Sequence, residues 1–236
     1  MKIAFNLPNE RMHTFTRGPM LAAQLLALAL ISVLVGCSHP SVLDPARRGP
    51  YYKPLNYVRD KTLPAGVKRV LVLPVCGGQV ADPDSAAALD DIVRAALQKQ
   101  SRFEVVALTR EDCQRKYGAP EFSSASELPH NFLDDLGRAY AVDAVLFVDL
   151  TVYQPYGQLS IGFRAKLAVI HDVRLAWSFD DTFSANDPTV VNGVRHYYLQ
   201  DSPGQPPVDL TTAALQSPRR FAAYAADAML ATLPPR

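Results

Sequence analysis

The 236-residue chain lacks the short motifs by which many enzymes are recognised. It has no GxxxxGK[ST] to cradle a phosphate, no GxGxxG, no GxSxG nucleophile elbow and no HExxH zinc pair. It is poor in histidine. Of five, His13 and His39 lie near the front, and His130, His171 and His196 are too scattered to supply a ligand set. His171-Asp172 is better explained as a polar hairpin tip than as part of a catalytic dyad. The adjacent pairs Asp134-Asp135 and Asp180-Asp181 point in different directions on a helix or strand, so neither makes a shared carboxylate site. No excess charge of one sign is present either. Residues 1–36 hold three basic residues and one acid, which leaves 21 basic and 22 acidic residues beyond them and a formal charge of −1. That balance leaves no electrostatic footprint for nucleic acid. The expectation is a chain with no catalytic residues, no metal site and no nucleic-acid partner.

One long uncharged run stands out. MLAAQLLALALISVLVG, residues 20–36, follows a front segment carrying Lys2, Arg11 and Arg17 against Glu10. It is short for a spanning helix, which needs ~20 apolar residues. It also has no polar face, so as part of a folded domain it would have to be covered on all sides. A basic start, a short apolar core and small residues form the pattern of a secretory signal. The run ends in Leu34, Val35, Gly36 and Cys37, which resemble the bacterial lipobox. That resemblance implies cleavage before Cys37 and a diacylglycerol thioether plus an N-acyl chain (a palmitate, for example) on Cys37. It implies no other cofactor. Two or more chains anchor firmly where one is marginal, at ~0.8 kcal/mol per buried methylene. By the same family rule, Ser38 in place of Asp points to the outer membrane. The chain then divides into 1–36 as signal peptide, 37–66 as lipidated cysteine and tether, and 67–236 as the periplasmic domain.

The stretch 38–66 has five prolines and no period, and reads as an extended tether. Its Tyr51, Tyr52 and Tyr57 suit either a sticky spacer or a segment that orders against a neighbouring subunit. From Val67 the texture changes. KRVLVLPV, residues 68–75, is a β-rich run of the kind buried on both faces. Residues 81–100 form a helix with Asp82 as cap, Pro83 in the first turn and Leu89, Ile92, Val93, Ala96 and Leu97 on one face. FEVVAL, residues 103–108, is a second strand. Thr109 with Asp112 caps a short helix that Gly118 ends. A further helix begins near Pro129, and AVLFVDLTVY, residues 144–153, is a third strand. Residues 159–169 and 173–183 alternate as an antiparallel hairpin. A two-residue turn at His171-Asp172 would oppose Val169 to Arg174 and set the apolar faces against each other. A three-residue loop or a bulge would pair Leu167 with Trp177 and Val169 with Leu175. Residues 184–210 read as an irregular loop, with His196–Gln200 as a short edge strand. Ser217 and Pro218 open a final helix whose buried face is Phe221, Tyr224, Ala225, Ala228 and Met229. The fold class is α/β (α+β): a mixed sheet packed by helices, parallel in its first half and antiparallel in its second. Cys76 and Cys113 fall at the same end of that sheet if the first two strands are parallel. They form either a disulfide, permitted in an oxidising compartment, or two separate buried thiols.

VKRVLVLPV, SRFEVVALTRED, LGRAYAVDAVLFVDLTVY and the hairpin ending LAWSF resemble the strands of a TolB-N-terminal-like α/β domain. This domain occurs in a group of bacterial envelope lipoproteins that includes the CsgG-like and LpoB-like proteins. The resemblance covers residues 67–183. It implies a non-enzymatic, lipid-anchored factor on the periplasmic face of the outer membrane, with a periplasmic or outer-membrane protein as partner, itself included. A ring-forming component of a secretion or flagellar apparatus is the alternative. Only QPYGQ, residues 154–158, separates the third and fourth strands, so no additional hairpin is present to build a membrane barrel.

Overall fold

A computed structural model describes residues 49–200 and 210–236. The lipobox Leu34–Cys37, the signal segment and the first part of the tether lie outside the described residues. Six strands are present: β1 (Tyr57–Arg59), β2 (Arg69–Val72), β3 (Glu104–Ala107), β4 (Ala144–Gln154), β5 (Ser160–Val169) and β6 (Arg174–Ser184). They form one sheet in the order β1-β6-β5-β4-β2-β3. β4, β2 and β3 are parallel; β4, β5, β6 and β1 are antiparallel. The mixed α/β sheet, parallel first and antiparallel after, is therefore as the sequence indicates.

The helices among the described residues are α1 (Pro83–Lys99), α2 (Arg110–Tyr117), α3 (Phe132–Tyr140), α4 (Pro188–Gln200), α5 (Thr211–Leu215) and α6 (Pro218–Leu230). Their starts are local chemistry. The side chains of Asp82, Thr109 and Ser217 each accept the backbone N–H three residues on, and Gly118 closes α2 with φ 79°. Alternation along the strands splits the core in two. Val70, Val72, Leu146, Val148, Phe163 and Trp177 pack under α1, α4 and α6, while Leu71, Val145 and Phe147 pack under α2 and α3 through Cys113, Phe132 and Leu136. Trp177 also donates its Nε1–H to Thr232 Oγ1 at 3.0 Å.

Two differences from the sequence reading have physical causes. First, the tether does not run to Gly66. Tyr57–Arg59 pairs antiparallel with Trp177–Phe179, Tyr52 packs edge-on against Phe183, and Leu63 is buried. These tyrosines order against their own domain, because β6 offers an open edge and an aromatic row. Second, residues 188–200 are helical, not a loop with an edge strand. Val190 and Val194 lie on one turn-spaced face and are buried against α6. Gly193 is needed there, since a Cβ would sit 2.2 Å from Tyr224 Oη. The hairpin carries the bulge that the alternation calls for, with a turn longer than three residues and Ala168 rather than Val169 opposite Leu175. Residues 170–173 form the turn, Val169 does oppose Arg174, and the shift falls between Leu167 and Ala168, so that Leu167 still meets Trp177. The turn closes with Val173 N–H on Ile170 O at 3.2 Å and places Val173 at φ 47°, uncommon for a β-branched residue.

Candidate functional site

The carboxyl ends of β2 and β4 are where an open α/β sheet offers a crevice for a ligand. Here the chain fills that crevice with its own side chains. After β2 the backbone turns through Cys76, Gly77 and Gly78, and Cys76 bridges to Asp149 of β4. Gly77 admits no side chain, because a Cβ would lie 2.8 Å from the Ala86 methyl of α1. The N–H groups of Gly77 and Gly78 donate to Glu121 Oε1 at 3.0 and 3.4 Å. The other carboxylate oxygen of Glu121 accepts from Arg110 at 2.5 Å. Arg110 also donates to both oxygens of Asp90, at 2.7 and 3.0 Å, and to Val75 O at 2.6 Å. Asp90 in turn accepts the N–H of Val75 at 2.8 Å. One guanidinium thus ties α2 to α1, to the segment that follows β2 and to the 119–125 loop.

A second tie lies beside it. Asp149, only 5% exposed, accepts from Ser124 N–H at 3.0 Å and Ser124 Oγ at 2.5 Å. Lys166 on β5 donates to Ser124 O at 2.7 Å. The sequence signal for this tie was visible. A carboxylate inside the apolar run AVLFVDLTVY requires a buried partner. Glu121, Ser124, Arg110, Asp90 and Lys166 were not identified in advance, because their contacts span 11 to 44 residues of sequence.

The electrostatics are those of a structural lock. Burial is the largest single influence on Glu121 and opposes its ionisation, but the hydrogen bonds from Arg110, Cys76 and Gly78 and the Arg110 charge together outweigh it and hold the carboxyl below the usual range. For Arg110, burial works against the charge and the hydrogen bonds to Asp90 and Glu121 overcome it. Cys76 and Cys113 are both buried free thiols. The structure holds them as two unbridged groups rather than as the candidate pair. Burial, with the nearby Glu121 charge, pushes Cys76 up to about 12; burial likewise pushes Cys113 up to about 11 against the influence of Arg110. A thiol held neutral at pH 7 is a poor nucleophile.

The remaining candidates are not brought together. His130 precedes α3, His171 sits in the β5–β6 turn, and His196 stacks on Tyr51 with ring centroids 4.5 Å apart. Asp180 pairs with Arg164 at 2.8 Å, whereas Asp181 accepts the N–H of Leu55, so the two carboxylates diverge as adjacent strand residues should. Among the described residues, no cluster of three His, Cys, Asp or Glu side chains has the arrangement to hold a metal ion. No described helix is long and apolar enough to cross a membrane.

Two surfaces stay open among the described residues. The cluster under α2 and α3 covers the second face of the sheet over β2, β3, β4 and the Ala168 end of β5, while Val58 on β1 is 73% exposed. The sheet also ends in two unlike strands, β1 and β3, each paired on one side.

No family model matches the chain, and no curated protein does. The chain is similar in structure to a PelC dodecamer from Paraburkholderia phytofirmans, at 12% identity and TM-score 0.44, covering 76% of this chain and 96% of that one. It is also similar to lipoprotein GNA1162 from Neisseria meningitidis, at 17% identity and TM-score 0.40, covering 51% and 85%. The LpoB C-terminal domain from Salmonella enterica matches at 15% identity and TM-score 0.34, covering 50% and 85%. At these identities and scores the similarities do not assign a function. The solved structures that this chain is similar to include bacterial lipoproteins.

Proposed function

We propose that this chain is a non-enzymatic, lipid-anchored factor of the bacterial outer membrane, acting through protein contacts made by a periplasmic domain. The observation that carries the reading is Leu34-Val35-Gly36-Cys37 at the end of a 17-residue uncharged run with a basic start. The lock at the carboxyl end of the sheet supports it. The crevice where an α/β domain commonly takes a ligand is filled by Glu121, Arg110 and Ser124, with their polar groups bound to one another and to backbone. The experiment is Cys37→Ala with metabolic lipid labelling and fractionation. The expected result is an uncleaved, unlabelled precursor; normal lipid labelling of the variant would overturn the anchor. Crosslinking in intact cells, read by mass spectrometry, identifies the partner.

A second reading is self-association into a ring. It is favoured by the two unlike open edges, β1 and β3. Edge-to-edge pairing of unlike strands is heterologous, and heterologous contacts close into rings when the rotation permits. A monomeric size after detergent extraction would exclude it.

A further inference from the structure

We propose that the crevice between the carboxyl ends of β2 and β4 is a carboxylate-binding site, which the chain keeps occupied with its own Glu121 until an acidic side chain of a protein partner takes that place. The inference rests on the reading of the domain as one that acts through protein contacts, and it uses no part of the lipid anchor.

The crevice lies at a switch point of the sheet. From β2 the chain passes through α1, on one face, to β3 on one side. It returns through α2 and α3, on the other face, to β4 on the other side. Helices that leave on opposite faces open a gap beyond the strand ends, the usual place for a ligand in an α/β sheet. The groups that meet the Glu121 carboxylate there are all donors. They are Gly77 N–H at 3.0 Å, Gly78 N–H at 3.4 Å, Arg110 Nη1 at 2.5 Å and the Cys76 thiol. Gly78 holds φ 54°, and two successive N–H groups turned toward one point make a backbone cradle for an anion.

The cradle stands without its occupant. Both oxygens of Asp90 and Val75 O hold the rest of the Arg110 guanidinium, and the Ala86 methyl fixes Gly77. None of these groups belongs to the 119–125 loop, so the donors stay in place when Glu121 leaves. Donors ordered in advance bind an anion at little further cost in entropy. The loop is held more lightly. No residue from 118 to 131 is buried or belongs to a helix or strand, and the Glu121 side chain is 22% exposed. Phe122, against Tyr117 and Phe132, and Leu128 give the loop its apolar contacts. Segments with few buried apolar contacts open at free energies well below global unfolding. Ser124 binds Asp149 three residues further on, so Glu121 swings out while Asp149 keeps its partners.

Charge and competition narrow the ligand. With Glu121 set aside, the charged groups around the crevice are Arg110 and Lys166 against Asp90 and Asp149. This balance exerts no general pull on anions; the converging donors select the ligand. A carboxylate restores the charge that Glu121 supplies, whereas a dianion would bring one more negative charge beside Asp90 and Asp149. Glu121 competes for the cradle at an effective concentration of about millimolar or more, because the loop tethers it. A free small carboxylate has nothing with which to meet that competition. An acidic side chain on a partner protein, with contacts of its own, does.

The test starts from Glu121→Ala in the full-length protein. Sodium formate replaces sodium chloride at constant ionic strength while thermal unfolding is followed. The expected result is a saturating rise in Tm with formate in the variant, with none in the wild type or in Glu121→Ala/Arg110→Met. A response no greater than that of the wild type would overturn the site. If Glu121→Ala does not fold, Glu121→Gln, which keeps an acceptor for the two N–H groups, is titrated with ¹³C-formate. Line broadening that Arg110→Met abolishes is then expected, and its absence would equally overturn the site. Release of Glu121 in the wild type is read by amide exchange. Gly77 N–H should exchange at least about tenfold faster than Leu73 N–H, which donates to Leu146 O at 3.1 Å. Equal rates would show that Glu121 does not leave and would overturn the displacement. In intact cells, a photo-crosslinker at the exposed Pro120 should capture a partner segment bearing Asp or Glu, severalfold more strongly with Glu121→Ala than without it. No capture, or capture indifferent to Glu121→Ala, would overturn the partner's entry, while the formate result decides the site by itself.

Discussion

Replacing Arg110 with Met removes the one group that joins Asp90, Glu121 and Val75 O. The side chains involved are 19%, 28% and 22% exposed for Arg110, Asp90 and Glu121, so screening by water is modest. Removing one partner of a buried ion pair costs about 3–5 kcal/mol, because the other charge is left uncompensated. Two features moderate this. Asp90 keeps the Val75 N–H, and Glu121 keeps the N–H groups of Gly77 and Gly78. The expected loss is therefore about 3 kcal/mol, which for a domain of this size lowers Tm by about 6–12 °C. Urea unfolding with an unchanged slope is the assay. The pH dependence gives a second readout. The Glu121 pKa is lowered in the fold from an ordinary value of 4.5. Its contribution is full above 4.5 and is lost as pH falls below that value through the folded one. Arg110→Met should flatten this acid limb, and Glu121→Gln should cost far less in the Arg110→Met background than alone. A loss under about 1 kcal/mol, or additive effects of the two substitutions, would refute the account of the lock.

Three further outcomes are expected. Gly193→Ala drives a methyl to within 2.2 Å of Tyr224 Oη and should destabilise by about 2 kcal/mol, with partial relief from Tyr224→Phe; thermal unfolding of the single and double variants measures both. Val173→Asn should stabilise by about 1 kcal/mol, since Val173 holds φ 47° while 80% exposed; a loss of stability in urea unfolding would mean that the Val173 side chain matters to the turn. Cys76 and Cys113 should resist a thiol reagent in the native protein at pH 8 and both react once it is denatured without reductant, whereas absence of reactive thiol then would establish a disulfide.

What the sequence determined by itself is what short-range chemistry decides. The caps at Asp82, Thr109 and Ser217 and the stop at Gly118 are bonds between residues three or four apart, and each is found where the pattern puts it. The strands β2 to β6 follow from alternation or from continuous apolar runs, and with them the mixed sheet. The divergence of paired carboxylates also follows from the period of two. Other features depended on partners distant in the chain. β1 is three residues long and exists because β6 has a free edge 120 residues away. Residues 188–200 include an Asn-Gly pair and several weak helix formers, so propensity argues for a turn, and only packing of Val190 and Val194 against α6 makes a helix. The hairpin register was legible at Leu167–Trp177, since burial fixes which face each residue must take. So was a bulge as one way to reach it; the turn over residues 170–173 was not, because several turn lengths satisfy the same constraint once a bulge is present. The Glu121 lock was the least legible. Its members, Asp90, Arg110 and Glu121, stand on separate segments as ordinary charged residues, and only the tertiary structure shuts them away from water, where a charge must find its opposite.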